Sequence, residues 1–264
     1  MLAASGEGDG GFHPPSIADF FPAPVLFEGT IFELNRINLI RILVAVVLVT
    51  TMAIVARRAT LVPGRTQNAV EMLLDFVRVN VAEELLGTRN APRYVPLLTT
   101  IFFAILAFNL TGVVPLLNIS TTGLIGLPLM LALWVLVMYL GAGIKAHGLG
   151  GFLKNSLFPP GVPAVMYVLL TPIELLTVFV LRPATLALRL MANMVAGHLM
   201  LVLCFSATQF FIVEASGGMK VFGAFSLVGG IMLTLFELFV AALQAYIFVV
   251  LTAVYLNLSI EEEH

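Results

Sequence analysis

Glu174, Arg182, Arg189, Asn193 and His198 stand inside TPIELLTVFVLRPATLALRLMANMVAGHLM, Thr171 to Met200, a run otherwise apolar enough for a membrane interior. A guanidinium at membrane depth costs about 2.5–3.5 kcal/mol on insertion scales, so the fold must need the charge. Apolar runs of similar length flank Arg189 on both sides, which makes snorkelling to a headgroup a poor explanation. What remains is a structural ion pair or a working cation. A fixed cation here would ionise a carboxyl group brought beside it, since an opposite charge within about 4–6 Å favours the charged form. It would also oppose the passage of a free proton. His198 can take up and release a proton near neutral pH, although a histidine satisfied within a core fits its position almost as well.

Arg189 and Asn193 are i,i+4 neighbours with Ala192 and Ala196 beside them. One side of the helix therefore carries a cation and an amide on a small-residue surface that another helix can approach closely. His198, nine residues past Arg189, points about half a turn away. Later in the chain, FELFVAALQAYIFVVLTAVYL carries Glu237 and Gln244 at i,i+7 on one face, with Ala241 between them. If the two helices pack antiparallel, Arg189 falls level with Gln244 and His198 with Glu237. Spacing leaves the rotation open. A straight helix cannot aim Arg189 and His198 at one neighbour, so a bend or a large tilt is expected, with Pro172 and Pro183 as the bend points.

The elements that hold these residues follow from length. Ala164 to Val213 is about 50 residues without a polar cluster, roughly 75 Å as helix against a hydrocarbon core of about 30 Å. A long tilted helix over 164–213 is expected, antiparallel to a second over 219–258. Upright spans are expected at 39–56, 95–117 and 124–140. Between the first two, 66–86 sets Gln67, Glu71, Asp75 and Arg78 against Val70, Leu73, Leu74, Val77, Val81 and Leu85, an amphipathic helix for the membrane interface or for a docked partner. Asn109, in the second span, is either interhelical glue or part of a polar inlet. Gly141-Ala-Gly, Lys145, His147, Lys154 and Pro159-Pro160 read as a loop. Thr171-Pro172-Ile173-Glu174 has the form of a capping box, which makes Glu174 structural. Arg182, ahead of Pro183, reads as a surface residue or as a donor to carbonyls that the proline frees.

Composition sets the class: 60% hydrophobic and 11% charged residues in 264, with mean hydropathy +1.05, describe an all-α integral membrane protein. The net charge of −2 gives no ground for nucleic-acid binding. A single Cys204 excludes an internal disulfide framework. GxxxxGK[ST], HExxH, CxxC and GxSxG patterns are absent from the sequence, so no nucleotide, metal, cofactor or nucleophile site is expected. Residues 1–35, rich in glycine, proline and acids, read as a flexible extracytoplasmic tail and not as a signal peptide. The membrane domain is 36–264, ending in the acidic EEEH. Arg57, Arg58, Arg65, Arg78, Arg89 and Arg93 lie between the first two spans, and Lys145 and Lys154 follow the third. The positive-inside rule makes both regions cytoplasmic, with the N-terminus outside and the C-terminus inside a plasma membrane crossed several times. Arg36 and Arg41 argue mildly against this.

LALRLMANMVAGH followed by FELFVAALQAYIFVVLTAVYL resembles the signature region of subunit a of bacterial F-type ATP synthases, and the likeness extends upstream through VPGRTQNAVEMLLDFV and FNLTGVVP. The resemblance implies a proton-translocating stator subunit of the F0 sector, without an active site of its own. Arg189 would face the ring of c subunits, with Gln244 as its helper and Asn193 beside it. A carboxylate and histidine pair, Glu237 and His198, would form the proton inlet with Asn109, and Glu174 is a further possible site residue. The pair is exchanged between the two helices relative to the familiar enterobacterial pattern. Family members often carry an acid where this chain has Gly112. Implied partners are the c ring, b-type subunits of the peripheral stalk, the lipid bilayer and, indirectly, the F1 sector. Two half-channels would meet at Arg189, and protons rather than sodium would be carried. The rivals are an ion-coupled secondary transporter, for which the chain lacks a matching inverted repeat, and a non-catalytic scaffold in which Arg189 pairs with Glu237.

Overall fold

The computed structural model describes residues 24–26, 34–60, 64–114, 121–157, 166–214 and 217–260. Most of the N-terminal tail, Pro159-Pro160 and the EEEH end lie outside them. Two short strands, β1 (Pro24–Leu26) and β2 (Leu34–Asn35), pair antiparallel ahead of the membrane helices, with Pro24 opposite Asn35. The rest is helical: α1 (Arg36–Arg57), α2 (Arg65–Val77), α3 (Glu84–Leu110), α4 (Gly126–Leu157), α5 (Tyr167–Leu176), α6 (Arg182–Gln209) and α7 (Lys220–Ile260). Five helical runs are long and apolar enough to cross a bilayer, so the protein is an all-α integral membrane protein.

The core lies between α3, α4, α6 and α7. Apolar association gains little inside lipid, so close approach of backbones must do the work. Along α7, Ala241, Ala245, Val249 and Ala253 recur every fourth residue, each at most 2% exposed, and form the strip on which its neighbours pack. Leu98, Ile101 and Ile105 of α3, and Leu186 and Leu190 of α6, fill the same core. By contrast α1 is almost bare, with 6% of its apolar window buried, and its first turn is tied to the α3–α4 connection by Arg41.

Several expectations change. The helix predicted at 66–86 continues through a π turn, Arg78–Glu83, in which the i,i+5 pair Arg78 and Glu83 forms an ion pair at 2.9 Å. It meets the next span at Gly87 (φ 71, ψ 158), a conformation that needs glycine. In the second span the helix ends at Leu110, where the Thr111 hydroxyl donates back to the Phe108 carbonyl at 2.6 Å; residues 115–117 of the predicted span lie outside the described residues. The third span is longer than 124–140. Gly141, Gly143, Lys145 and His147, read as loop, are helical, and the chain turns at Gly148 (φ 73) instead. Past that turn Phe152 folds back so closely that a Cβ on Gly143 would collide with its ring. The glycine there serves packing and does not break the helix.

The run from Tyr167 to Val213 is helical for 47 residues, as its length required. It is interrupted by a π turn, Thr177–Leu181, two residues before Pro183, and passes into another at Phe210–Glu214, whereas Pro172 sits inside regular helix. Within the π turn the Arg182 N–H bonds to the Thr177 carbonyl, five residues back. By the same register Pro183, which has no N–H, leaves the Val178 carbonyl free, and the Tyr139 hydroxyl of α4 donates to it. Arg182, read as a surface residue or as a donor to such a carbonyl, lies over the Tyr255 ring with its Cζ 5.3 Å from the centroid.

Candidate functional site

The α6–α7 hairpin is antiparallel with the register that the polar residues required. Gly230 packs on Phe205 and Cys204, Ser226 donates to the Cys204 carbonyl at 2.8 Å, and Gly223 packs on Phe211 and Ile212. The rotation, which spacing left open, selects the partners. Asn193, one turn past Arg189, reaches Gln244, donating from Nδ2 to Oε1 at 2.8 Å. Gly197 lies against Glu237: a Cβ at 197 would stand 2.8 Å from Glu237 Oε1 and 3.2 Å from its Cδ.

Between the two helices and the end of α3 lies a cavity of about 380 Å³. Its polar lining is Asn109, Asn193, Glu237 and Gln244, and its apolar wall includes Leu190, Met194, Met200, Phe236 and Val240. Glu237 is 4% exposed, and neither carboxylate oxygen has a hydrogen-bond partner among the described residues. Gln244 Nε2 is in the same condition, its Oε1 being held by Asn193. Buried polar groups of this kind are ordinarily satisfied by protein or by water, and a space of this size with four polar side chains is roomy and polar enough for several waters. The position of Gly112 faces the same carboxylate: a Cβ there would stand 4.0 Å from Glu237 Oε1 and 3.2 Å from Met194 Cε. An acid at position 112 and the acid at 237 would thus serve one site.

Asn109 makes the interhelical contact that the sequence allowed, and it also lines the cavity. Its Oδ1 accepts from the Thr122 hydroxyl at 2.9 Å and its Nδ2 reaches the Ala241 carbonyl at 3.4 Å, so it ties α3 to α7 while lining the cavity. His198 is buried at 8% exposure and does not line it.

Arg189 lies outside the cavity and is exposed on the outer side of α6, beside exposed Leu188, Ala192 and Ala196. It forms neither an ion pair nor a hydrogen bond among the described residues, so the Arg189–Glu237 pair of the scaffold reading is not made. Glu174 stands apart from this group, half-buried on α5. The capping-box reading of it is overturned: the helix starts at Tyr167, more than a turn before Thr171, because the apolar run Tyr167–Leu170 continues the helix upstream of the proline.

Gly197, Tyr139 and the Thr121-Thr122 pair went unremarked in the sequence. The adjacent hydroxyls between two apolar spans were a usable signal for the last; the first two carry none without the neighbouring helix.

The ATP synthase A chain family matches residues 38–257. ATP synthase subunit a of Rhodococcus erythropolis is 48% identical over 254 residues, covering 96% of this chain and 92% of that protein. The subunit a of Pseudarthrobacter chlorophenolicus is 35% identical over 256 residues, covering 97% and 96%. That of a Parafrankia species is 39% identical over 254 residues, covering 94% and 84%. With the family match spanning most of the chain and such relatives covered nearly end to end, this membrane protein belongs to the ATP synthase A chain family.

Proposed function

We propose that the chain is the proton-translocating stator subunit of the F0 sector, with two half-channels that meet at Arg189 against a rotating ring of c subunits. As a family member it is a component of the ATP synthase complex and has no independent active site. The observation that carries the finer reading is the state of Arg189: a cation in the middle of a membrane-length helix, turned outward, without an acidic partner among the described residues. Uncompensated charge at that depth demands a partner from outside the chain, and exposed Ala192 and Ala196 beside it let a neighbouring helix come close. A ring carboxyl group, neutral in lipid, would ionise on reaching Arg189 and regain a proton on leaving it. The cation would also repel a proton trying to pass directly between the half-channels.

The cavity supports an inlet on one side of this contact. A proton entering from outside would pass Glu237 and Asn109, which line the cavity, and His198, which is buried outside it, with Asn193 and Gln244 forming the wall nearest Arg189. An inner path would release it to the cytoplasm. Each charge moved yields about 2.3 kcal/mol per 100 mV, which the ring turns into torque. In this reading the tail 1–35 is extracytoplasmic, the membrane domain is 36–264, and the b-type subunits of the peripheral stalk cover part of the bare surface of α1 and α2.

Arg189→Ala tests the reading. In assembled complex reconstituted into vesicles, ATP-driven proton pumping should be abolished while the subunit composition is unchanged; undiminished pumping would end the proposal.

A further inference from the structure

Asn109 enters the cavity from the last turn of α3 with an amide whose two ends differ in sign but hardly in shape. Its neighbours decide which end faces where. On the α7 side stands the Ala241 carbonyl, which can accept and cannot donate, so Nδ2 must point there. Oδ1 then faces Thr122, whose hydroxyl must be the donor. Thr122 is 0% exposed, so its hydroxyl has no bulk water as an alternative. One N–H of the Asn109 amide is engaged by Ala241, and the other is left for the cavity that holds Glu237.

Thr122 is itself held from outside the cavity. The Thr121 hydroxyl donates to the Phe108 carbonyl at 2.8 Å and meets the Thr111 hydroxyl at 3.0 Å. Arg41, from the first turn of α1, grips the Thr121 carbonyl with Nε at 3.0 Å and Nη2 at 2.6 Å, and Nη2 also reaches the Leu124 carbonyl at 3.4 Å. Its remaining arm, Nη1, donates to Asn38 Oδ1 at 3.1 Å. A guanidinium with paired donors holds a carbonyl in direction as well as distance, which a lysine cannot do. The chain of contacts runs from a helix with almost no other packing, through the α3–α4 connection, to one amide of the cavity.

We propose that Thr122, held in place by Arg41, is a positioning residue for proton entry: by donating to Oδ1 it holds the Asn109 amide in the orientation that the Ala241 carbonyl selects, so that the second N–H is kept for the cavity beside Glu237. The proposal rests on the reading of the cavity as the inlet. It gives Arg41, which in the sequence only argued mildly against the assigned orientation, a task in transport.

The test is proton flow through F1-depleted vesicles holding the complete F0 sector, driven by a potassium diffusion potential. Asn109→Ala and Thr122→Val should each slow the flow about two- to tenfold, the range covered by one lost hydrogen bond. Thr122→Ser, which keeps the hydroxyl, should run near the wild-type rate. The double variant should be no slower than Asn109→Ala alone, because Thr122 acts through Asn109; a merely structural role would multiply the two effects. If Asn109→Ala slows the flow while Thr122→Val is normal or multiplies with it, the positioning role is wrong and the inlet stands. If Asn109→Ala is itself normal, Asn109 is not on the path and both fall. Should Thr122→Val fail to assemble, Arg41→Lys carries the same test: slowed and non-multiplying flow is expected, and wild-type flow would overturn the part given to Arg41.

Discussion

Glu237 and Arg189 invert the usual arrangement of charge in a protein. The acid is buried without a partner among the described residues, and the base is exposed where lipid or another subunit must lie. A buried carboxylate of this sort is tolerated when its surroundings give it room and water, and here the room comes from Gly197. Adding one methyl group, Gly197→Ala, would place a carbon 2.8 Å from Glu237 Oε1 and force the carboxyl group aside. Displacing a reacting group by about 1 Å can cost up to 100-fold, so passive proton flow should fall well below half the wild-type rate. Flow at the wild-type rate would mean that the carboxyl group has other room. The second prediction concerns the pair. His198→Glu with Glu237→His moves the acid onto α6, next to Gly197, and the imidazole onto α7. The double variant should recover more ATP-driven pumping than either single change, and recovery no better than the worse single change would show the two positions to be uncoupled.

At the scale of elements, the π turn at Thr177–Leu181 is the joint between the entry to the long helix and the part that carries Arg189. Pro183, just past it, has no N–H to offer, and Tyr139 supplies a donor to the Val178 carbonyl. Tyr139→Phe keeps the ring and removes that donor, leaving a buried carbonyl unsatisfied at a cost of about 1–3 kcal/mol. The thermal midpoint of the purified complex, or the yield of subunit a in it, should drop, while an unchanged midpoint would show that the carbonyl finds another partner. The apolar runs, their lengths and the antiparallel register of α6 and α7 were legible because each is a property of one helix or of residue spacing. The turns were not. Gly141 and Gly143 looked like the start of a loop, and nothing singled out Gly148 within it, since glycine marks a turn and a close contact alike; Phe152 closes on Gly143, and that contact lies between residues of separate helical segments. Thr171 to Glu174 copied a capping box, but a cap needs the helix to begin there, and the apolar residues before it carry the helix onward. For the site, periodicity put Asn193 beside Arg189 and Glu237 in line with Gln244. It could not assign Gln244 to Asn193 or the carboxylate to Gly197, because that choice depends on how two helices roll against each other.

On the scale of the whole molecule, the described residues include five helical runs long and apolar enough to cross, and five crossings would put the start of α1 and the end of α7 on opposite faces. Arg41 bonds the α3–α4 connection, so the start of α1 and that connection share one face, and the α6–α7 turn lies there too. The opposite face collects Arg57, Arg58, Arg65, Arg89, Arg93 and Lys145. Counting free cations strengthens the positive-inside argument over the raw sequence, because Arg41 spends its donors on carbonyls and Asn38 within the fold. The face with Lys145 should therefore be cytoplasmic. On a Cys204→Ser background, a cysteine at exposed Lys145 should react with a membrane-impermeant maleimide in inverted vesicles and not in intact cells. A cysteine at exposed Lys220, in the α6–α7 turn, should react the other way. The consequence reaches the mechanism, since Gly112 and Asn109, at the end of α3 on the Lys220 side, border the same cavity as Glu237. If the labelling pattern were reversed, that cavity would approach the cytoplasm, and Glu237 would belong to the exit path and not to the inlet.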